Sequence, residues 1–160
     1  MFRLSRMTDY GVVVLGQLVG QHGRLLNAPE ITEGTGLPGA TVSQVLKTLA
    51  AAGVVTSHRG ARGGYELTRA PEEITVRELV VAFEGPLAVT ACVEGATDNC
   101  AVESLCLLAG GWEQVNTAIR VALDSVTLAD LLRPITHFGR PEAGSLSDAP
   151  SETLEREARA

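Results

Sequence analysis

Three cysteines lie close together in the second half of the chain, at Cys92, Cys100 and Cys106. Their spacing, Cys-x7-Cys-x5-Cys, differs from the paired Cys-x2-Cys of a zinc ribbon. Thiolates are the usual ligands of iron–sulfur clusters, and they also bind zinc or act as redox-sensitive thiols. The surrounding segment is polar, which disfavours three merely buried side chains. The residues alone therefore leave three interpretations open: an iron–sulfur cluster, a zinc ion or a thiol sensor.

Catalysis by one of these cysteines would need a histidine close to it. The three histidines, His22, His58 and His137, belong to other predicted elements. The sequence therefore predicts that the chain is not an enzyme. A thiol oxidoreductase is the alternative from another functional class, and the missing Cys-x2-Cys motif argues against it.

Arg59 and Arg62 lie in a glycine-rich connection between two short predicted strands, residues 53–57 and 65–68. Two strands joined by a glycine-containing loop indicate a hairpin, and this loop is long enough to project. Guanidinium groups on a projecting tip suit bidentate contacts with phosphates or guanine edges. Taken alone, the loop is equally compatible with solvated arginines that only add solubility.

The elements before the hairpin decide between these interpretations. A first predicted helix follows Thr8, residues 24–26 form a candidate small strand, and a short helix begins at Asn27 with a capping box. Pro38 opens a third helix with apolar residues at helical spacing, namely Val42, Val45, Leu46 and Leu49. Helix, turn, helix and hairpin in this order predict a winged helix-turn-helix, whose last helix enters the major groove of DNA.

The other face of the third predicted helix is small and polar. Its candidate DNA contacts are Thr41, Ser43 and Gln44 toward bases and Lys47 toward a phosphate. Charge supports this placement, because residues 1–70 carry a net charge of +3 and residues 71–160 carry −9. We therefore expect double-stranded DNA as a partner, despite the overall net charge of −6.

Beyond the hairpin, Thr75 and Glu78 predict a capping box, and a regular amphipathic helix begins at Trp112. We expect this helix to pack on its copy in a homodimer, with packing inside the monomer as the alternative. The segment from Gly139 to Ala160 is rich in Pro, Gly, Ser and acidic residues, which is typical of disorder.

The expected organisation follows from these patterns. It comprises a DNA-binding domain, a cysteine-bearing loop, a dimerisation helix and a disordered tail, at residues 1–85, 86–111, 112–132 and 133–160. The fold class is mainly α, a winged helix-turn-helix with a two-stranded wing and a long C-terminal helix. No apolar run approaches the roughly 18 residues of a membrane helix, and the N-terminus lacks a signal-peptide pattern, so we expect a cytoplasmic protein.

The sequence resembles the Rrf2 family of winged-helix iron–sulfur regulators over residues 1–132. The matching segments are residues 4–10, 53–55, 59–67 and 83–86, together with the three cysteines. Within the family, the chain is most similar to the regulators of the SUF iron–sulfur assembly system. This narrower resemblance rests on residues 57–65, 87–92 and 111–116.

The resemblance implies a homodimeric repressor that binds a palindromic promoter site and controls SUF genes. It also implies a 2Fe–2S or 4Fe–4S cluster held by Cys92, Cys100 and Cys106. Some members supply a histidine three residues after the last cysteine, a position occupied here by Ala109. Other members use an aspartate from the first helix of the partner subunit, and Asp9 stands at that position. The fourth ligand therefore stays open, with Glu94, Asp98 and Glu103 as the other candidates.

Overall fold

The structure, a computed structural model, describes residues 3–21, 23–60, 62–96 and 111–133. The described elements are, in chain order, α1 (Arg6–Gly20), α2 (Ala28–Thr35), α3 (Gly39–Ala51), β1 (Val55–His58), β2 (Gly64–Leu67), a single 3-10 turn (Pro71–Glu73), α4 (Val76–Glu84), α5 (Gly111–Asp124) and α6 (Leu128–Leu132). The sheet has two antiparallel strands. The predicted fold class, a mainly α winged helix-turn-helix with a two-stranded wing, is confirmed. Residues 134–160 of the predicted tail lie outside the described residues.

The core lies where α1, α2 and α3 meet and is almost entirely aliphatic. Its fully buried side chains include Val14, Leu15, Ile31, Val42, Val45, Leu46 and Leu49. Burying each of them contributes about 1.5–3 kcal/mol relative to exposure. The apolar spacing of α3 thus fixes which of its faces points inward and leaves the polar face outside.

Both ends of α2 are set by local capping. The Asn27 side chain accepts a hydrogen bond from the Glu30 backbone N–H at 2.9 Å, and the Glu30 carboxylate accepts one from the Asn27 N–H, also at 2.9 Å. Gly36 ends α2 at a φ of 68°, a left-handed conformation that favours glycine. The capping box predicted at Asn27 is confirmed.

The start of α4 departs from the prediction. The Thr75 hydroxyl accepts a hydrogen bond from the Glu78 N–H at 3.3 Å, which is half of the expected capping box. The Glu78 carboxylate binds Arg69 instead, with 2.5 Å between Nη2 and Oε2. A charge-assisted bond to a guanidinium is stronger than one to a neutral N–H, so Arg69, two residues beyond β2, takes the carboxylate that would have completed the box.

The C-terminal elements return to the DNA-binding domain. α4 packs against α1, α3 and α5. After α5 the chain runs beside the start of α4, where the Val76 N–H donates to the Val126 carbonyl and the Leu128 N–H donates to the Ile74 carbonyl, both at 2.8 Å. Leu128 is fully buried in the common core. In the described part of the chain, no helix has the length and apolar character to cross a membrane.

Candidate nucleic-acid interface and cysteine loop

The predicted base-contacting residues share the outer face of α3. Ser43, Gln44 and Lys47 are exposed and Thr41 is half-buried. Among the described residues, none of the four takes part in a side-chain hydrogen bond or ion pair. Their polar groups are therefore free to contact base edges and phosphates.

The first turn of α3 adds to the electrostatics of this face. It carries no acidic side chain, so the partial positive charge of the helix N-terminus is not offset. Pro38 occupies the N-cap and its carbonyl accepts from the Val42 N–H at 3.0 Å. An uncompensated helix N-terminus favours an anionic neighbour such as a phosphate.

The wing projects directly from the end of α3. Gly53 reverses the chain at a φ of 71°, and the strands then pair from Val55 opposite Leu67 to His58 opposite Gly64. Arg59 and Arg62 are exposed in the connecting loop. Within the described ranges neither arginine pairs with a carboxylate. The structure therefore places both arginines at the wing tip, as predicted.

Sequence reasoning missed how the wing is anchored. The small strand expected at residues 24–26 is a single bridge, in which Leu26 exchanges two backbone hydrogen bonds with Tyr65, of 3.2 and 2.8 Å. Gly64 lies so close to this bridge that a Cβ there would stand 2.8 Å from the Leu26 carbonyl oxygen. The glycine pair at residues 63–64 was the available signal for such a close backbone approach.

A carboxylate on the wing was also missed. The Glu66 carboxylate accepts a hydrogen bond from the His58 ring, with 2.7 Å between Oε1 and Nε2. Both side chains are partly exposed on the strands just behind Arg59. The wing therefore carries one acidic group at its base and two cationic groups at its tip, which directs its positive charge outward.

Cys92 lies on the segment that follows α4. The chain before it is anchored by the buried Leu87, and the next residue, Val93, is also buried. Cys92 is half-buried, and its sulfur stands 3.2 Å from the Thr90 hydroxyl oxygen. Cys100 and Cys106 lie outside the described residues. Among the residues that are described, no three His, Cys, Asp or Glu side chains form a metal-binding group. A partly shielded thiol with a hydroxyl neighbour fits a sulfur ligand of an iron–sulfur cluster.

Asp9 is exposed in the first turn of α1. The start of this helix is held by Glu84, the last residue of α4, which accepts from the Ser5 N–H at 2.8 Å and from the Thr8 hydroxyl. These hydrogen bonds, that from Thr8 above all, lower the pKa of the Glu84 carboxyl. Glu84 therefore ties the helix that bears Asp9 to the point where the cysteine segment departs.

Comparison with known proteins agrees with this arrangement. Residues 4–134 match the model of the Rrf2 family, described as iron-dependent transcriptional regulators. An rrf2-like HTH-type transcriptional regulator of Rhodobacter capsulatus is 35% identical over 153 residues, which cover 91% of this chain and 99% of that protein.

Two solved structures resemble the chain closely enough to support the fold. CymR of B. subtilis, the global cysteine regulator, has a TM-score of 0.61 at 29% identity and covers 82% of this chain and 97% of its own. IscR of T. potens has a TM-score of 0.57 at 32% identity, with coverage of 82% and 86%.

Proposed function

Because the chain belongs to the Rrf2 family of transcriptional regulators, we propose that it is a homodimeric repressor that senses iron–sulfur cluster status. Family membership confirms the resemblance seen in the sequence and the prediction of a regulator rather than an enzyme. In the proposed function, α3 and the wing bind promoter DNA, and the cysteine segment controls that binding.

The observation that carries the DNA-binding half is a set of exposed polar and cationic groups that have no side-chain partner among the described residues. The outer face of α3 supplies Gln44 and Lys47, and the wing tip supplies Arg59 and Arg62. In a winged helix of this kind, α3 enters the major groove and the wing contacts the adjacent backbone or groove. Thr41 and Ser43 complete the proposed base contacts.

The proposed sensor is an iron–sulfur cluster, 2Fe–2S or 4Fe–4S, held by Cys92, Cys100 and Cys106. Support comes from the half-buried Cys92 and from the family's description as iron-dependent. Asp9 of the partner subunit is the proposed fourth ligand, since it is exposed. A carboxylate holds iron less firmly than a thiolate, which suits a cluster that must be lost or altered to signal. The proposed targets are the SUF assembly genes, which would close a feedback loop.

Dimerisation is proposed through α5. Trp112 and Val115 on this helix are 44% and 43% exposed, and Ile119 lies one to two turns further along the same face. A stripe of apolar side chains left open on an amphipathic helix favours burial against a second copy. Two copies would present two α3 helices to the two halves of a palindromic site.

One experiment tests the sensor and the DNA response together. The protein is purified without oxygen, its visible absorption and its iron, sulfide and zinc contents are measured, and holo and apo forms are compared in a promoter-binding assay. We expect a coloured protein with iron and sulfide and with different DNA affinities in the two forms. A colourless protein with stoichiometric zinc would overturn the cluster.

A thiol sensor without a cluster is the second candidate. It is favoured by the similarity to CymR, a cysteine regulator, and by Cys92, which is half-buried and has a free thiol. In that case the anaerobic protein would lack iron and sulfide, and DNA affinity would change on treatment with a thiol oxidant alone. A thiol oxidoreductase would instead turn over a disulfide substrate.

A further inference from the structure

The most completely buried polar side chain of the described residues lies on α5 and faces the cysteine segment. Asn116 is fully buried. Its Oδ1 accepts a hydrogen bond from the Val89 N–H at 3.3 Å, and its Nδ2 donates to the Glu94 carbonyl at 3.5 Å. Asn116 therefore bonds the backbone on both sides of Cys92, three residues before it and two residues after it.

Two neighbours on the same face of α5 hold the same segment. The Glu113 carboxylate accepts from the Glu94 N–H at 2.9 Å. Arg120 donates to the Glu94 carbonyl and pairs with its carboxylate at 3.1 Å between Nη1 and Oε2. Both backbone polar groups of Glu94 thus find partners on α5. An irregular segment next to a helix needs such partners, because it has no ladder of its own.

Resting on the proposed function, we propose that Asn116 is the positioning residue for Cys92. With Glu113 and Arg120 it forms a clamp that fixes the cysteine segment on α5, so that ligand and dimerisation helix move as one unit. The clamp occupies the polar face of α5, and the exposed apolar stripe containing Trp112 and Val115 lies beside it on the same helix. A displacement of Cys92 therefore also displaces α5 and, with it, the proposed subunit interface.

The side-chain type at this position is specific. An amide both donates and accepts, and the segment presents one N–H and one carbonyl to it. Leucine has similar size but would leave the Val89 N–H without its partner and the Glu94 carbonyl with Arg120 alone. Aspartate would keep the acceptor for Val89 and lose the donor for Glu94. Aspartate would moreover bury a carboxylate beside that carbonyl, so asparagine should hold the segment better than either substitute.

The test uses the full-length apo protein, so it does not depend on cluster assembly. Amide hydrogen exchange is measured over residues 87–96, and alkylation of Cys92 by iodoacetamide is followed by peptide mass spectrometry. Each lost hydrogen bond should speed local opening about fivefold, so both Asn116→Leu and Asn116→Asp should exceed the wild type in exchange and alkylation. The matched control is Gln114→Leu, an exposed position on the same helix, which should match the wild type.

The outcome must be local to support the proposal. Exchange in α1, α2 and α3 should stay unchanged in Asn116→Leu, and the visible circular dichroism of any reconstituted cluster should change. Equal acceleration throughout the chain, or no acceleration at Val89 and Glu94, would overturn the clamp. If Asn116→Leu does not fold, Glu113→Ala must still speed exchange at Glu94. A wild type without a cluster would refute the proposed function and leave this local test intact.

Discussion

The anchoring of the wing predicts a specific effect of the substitution Gly64→Ala. Gly64 is buried at the first position of β2, and a Cβ there would stand 2.8 Å from the Leu26 carbonyl oxygen and 2.9 Å from its carbon. Leu26 cannot give way easily, because its own side chain is 2% exposed in the core. The strain is relieved most directly by moving β2 away from Leu26, which breaks the two backbone hydrogen bonds between Leu26 and Tyr65.

The magnitude follows from those two bonds. At about 0.5–1.5 kcal/mol net for each backbone hydrogen bond, their loss lowers the free energy of unfolding by about 1–3 kcal/mol. Overpacking of a core by one methyl group gives a similar figure, about 1–3 kcal/mol. For a chain of this length, Tm should fall by about 2–12 °C. On the proposed function, a displaced wing also loses the phosphate contacts of Arg59 and Arg62. Each lost contact reduces the salt slope, which is the slope of log DNA affinity against log salt concentration, by about 0.9.

Two measurements test Gly64→Ala, namely calorimetric Tm and promoter affinity over about 50 to 200 mM salt. Gly20→Ala is the matched control, because a Cβ at the exposed end of α1 meets nothing within 4 Å. The control should retain the wild-type Tm or exceed it slightly, since alanine favours the helix. A Gly64→Ala protein with both wild-type Tm and wild-type salt slope would refute the proposed anchoring of the wing by Leu26.

Two further predictions concern charged groups. Arg62→Ala should reduce the slope of log affinity against log salt by about 0.9 without changing Tm, and an unchanged slope would remove Arg62 from the DNA contacts. Glu84→Gln should lower Tm at neutral pH, because hydrogen bonds from Thr8 and Ser5 lower the folded-state pKa of the Glu84 carboxyl. That stabilisation is present above the unfolded-state pKa and is lost as pH falls through the lowered folded-state pKa. The Tm difference between wild type and variant should therefore shrink in acid, and a constant difference would contradict this origin.

The helix-turn-helix could be predicted from the sequence because its determinants are local. The apolar spacing of Val42, Val45, Leu46 and Leu49 fixes the inner face of α3, and all four are fully buried. The cap at Asn27 likewise involves residues only three apart. These patterns also placed Gln44 and Lys47 on the outer face, where the structure has them.

Features that depend on distant residues could not be predicted in this way. The strands run over Val55–His58 and Gly64–Leu67, slightly displaced from residues 53–57 and 65–68, because pairing with Leu26 and across the wing sets their bounds. Asn116 gave no signal either, since its partners belong to a segment without periodicity. The apolar spacing of α5 predicted which of its faces packs on another helix. Only the fold shows that its polar face binds the cysteine segment.

On the proposed function, α4 is the element that joins sensor and DNA-binding surface. Its first turn is bonded to the chain after α5, through Val76 and Val126. At its other end, Val81 and Ala82 line a groove of about 450 Å³ together with Gln44 and Lys47 of α3. A shift of α5 therefore moves α4 against two of the proposed DNA contacts.

This placement predicts that Val81→Ala weakens the coupling between cluster and DNA. The substitution removes apolar contact from the wall between α4 and α3, while Val81 is already 38% exposed, so folding should be little affected. Residues along a coupling route change it by about 0.5–2 kcal/mol, which is about a two- to thirtyfold change in the ratio of holo to apo DNA affinity. Val121→Ala, at a 61% exposed position of α5, is the matched control and should leave that ratio unchanged. An unaltered ratio in Val81→Ala, with normal cluster content in both variants, would show that the signal does not travel through the α3–α4 contact.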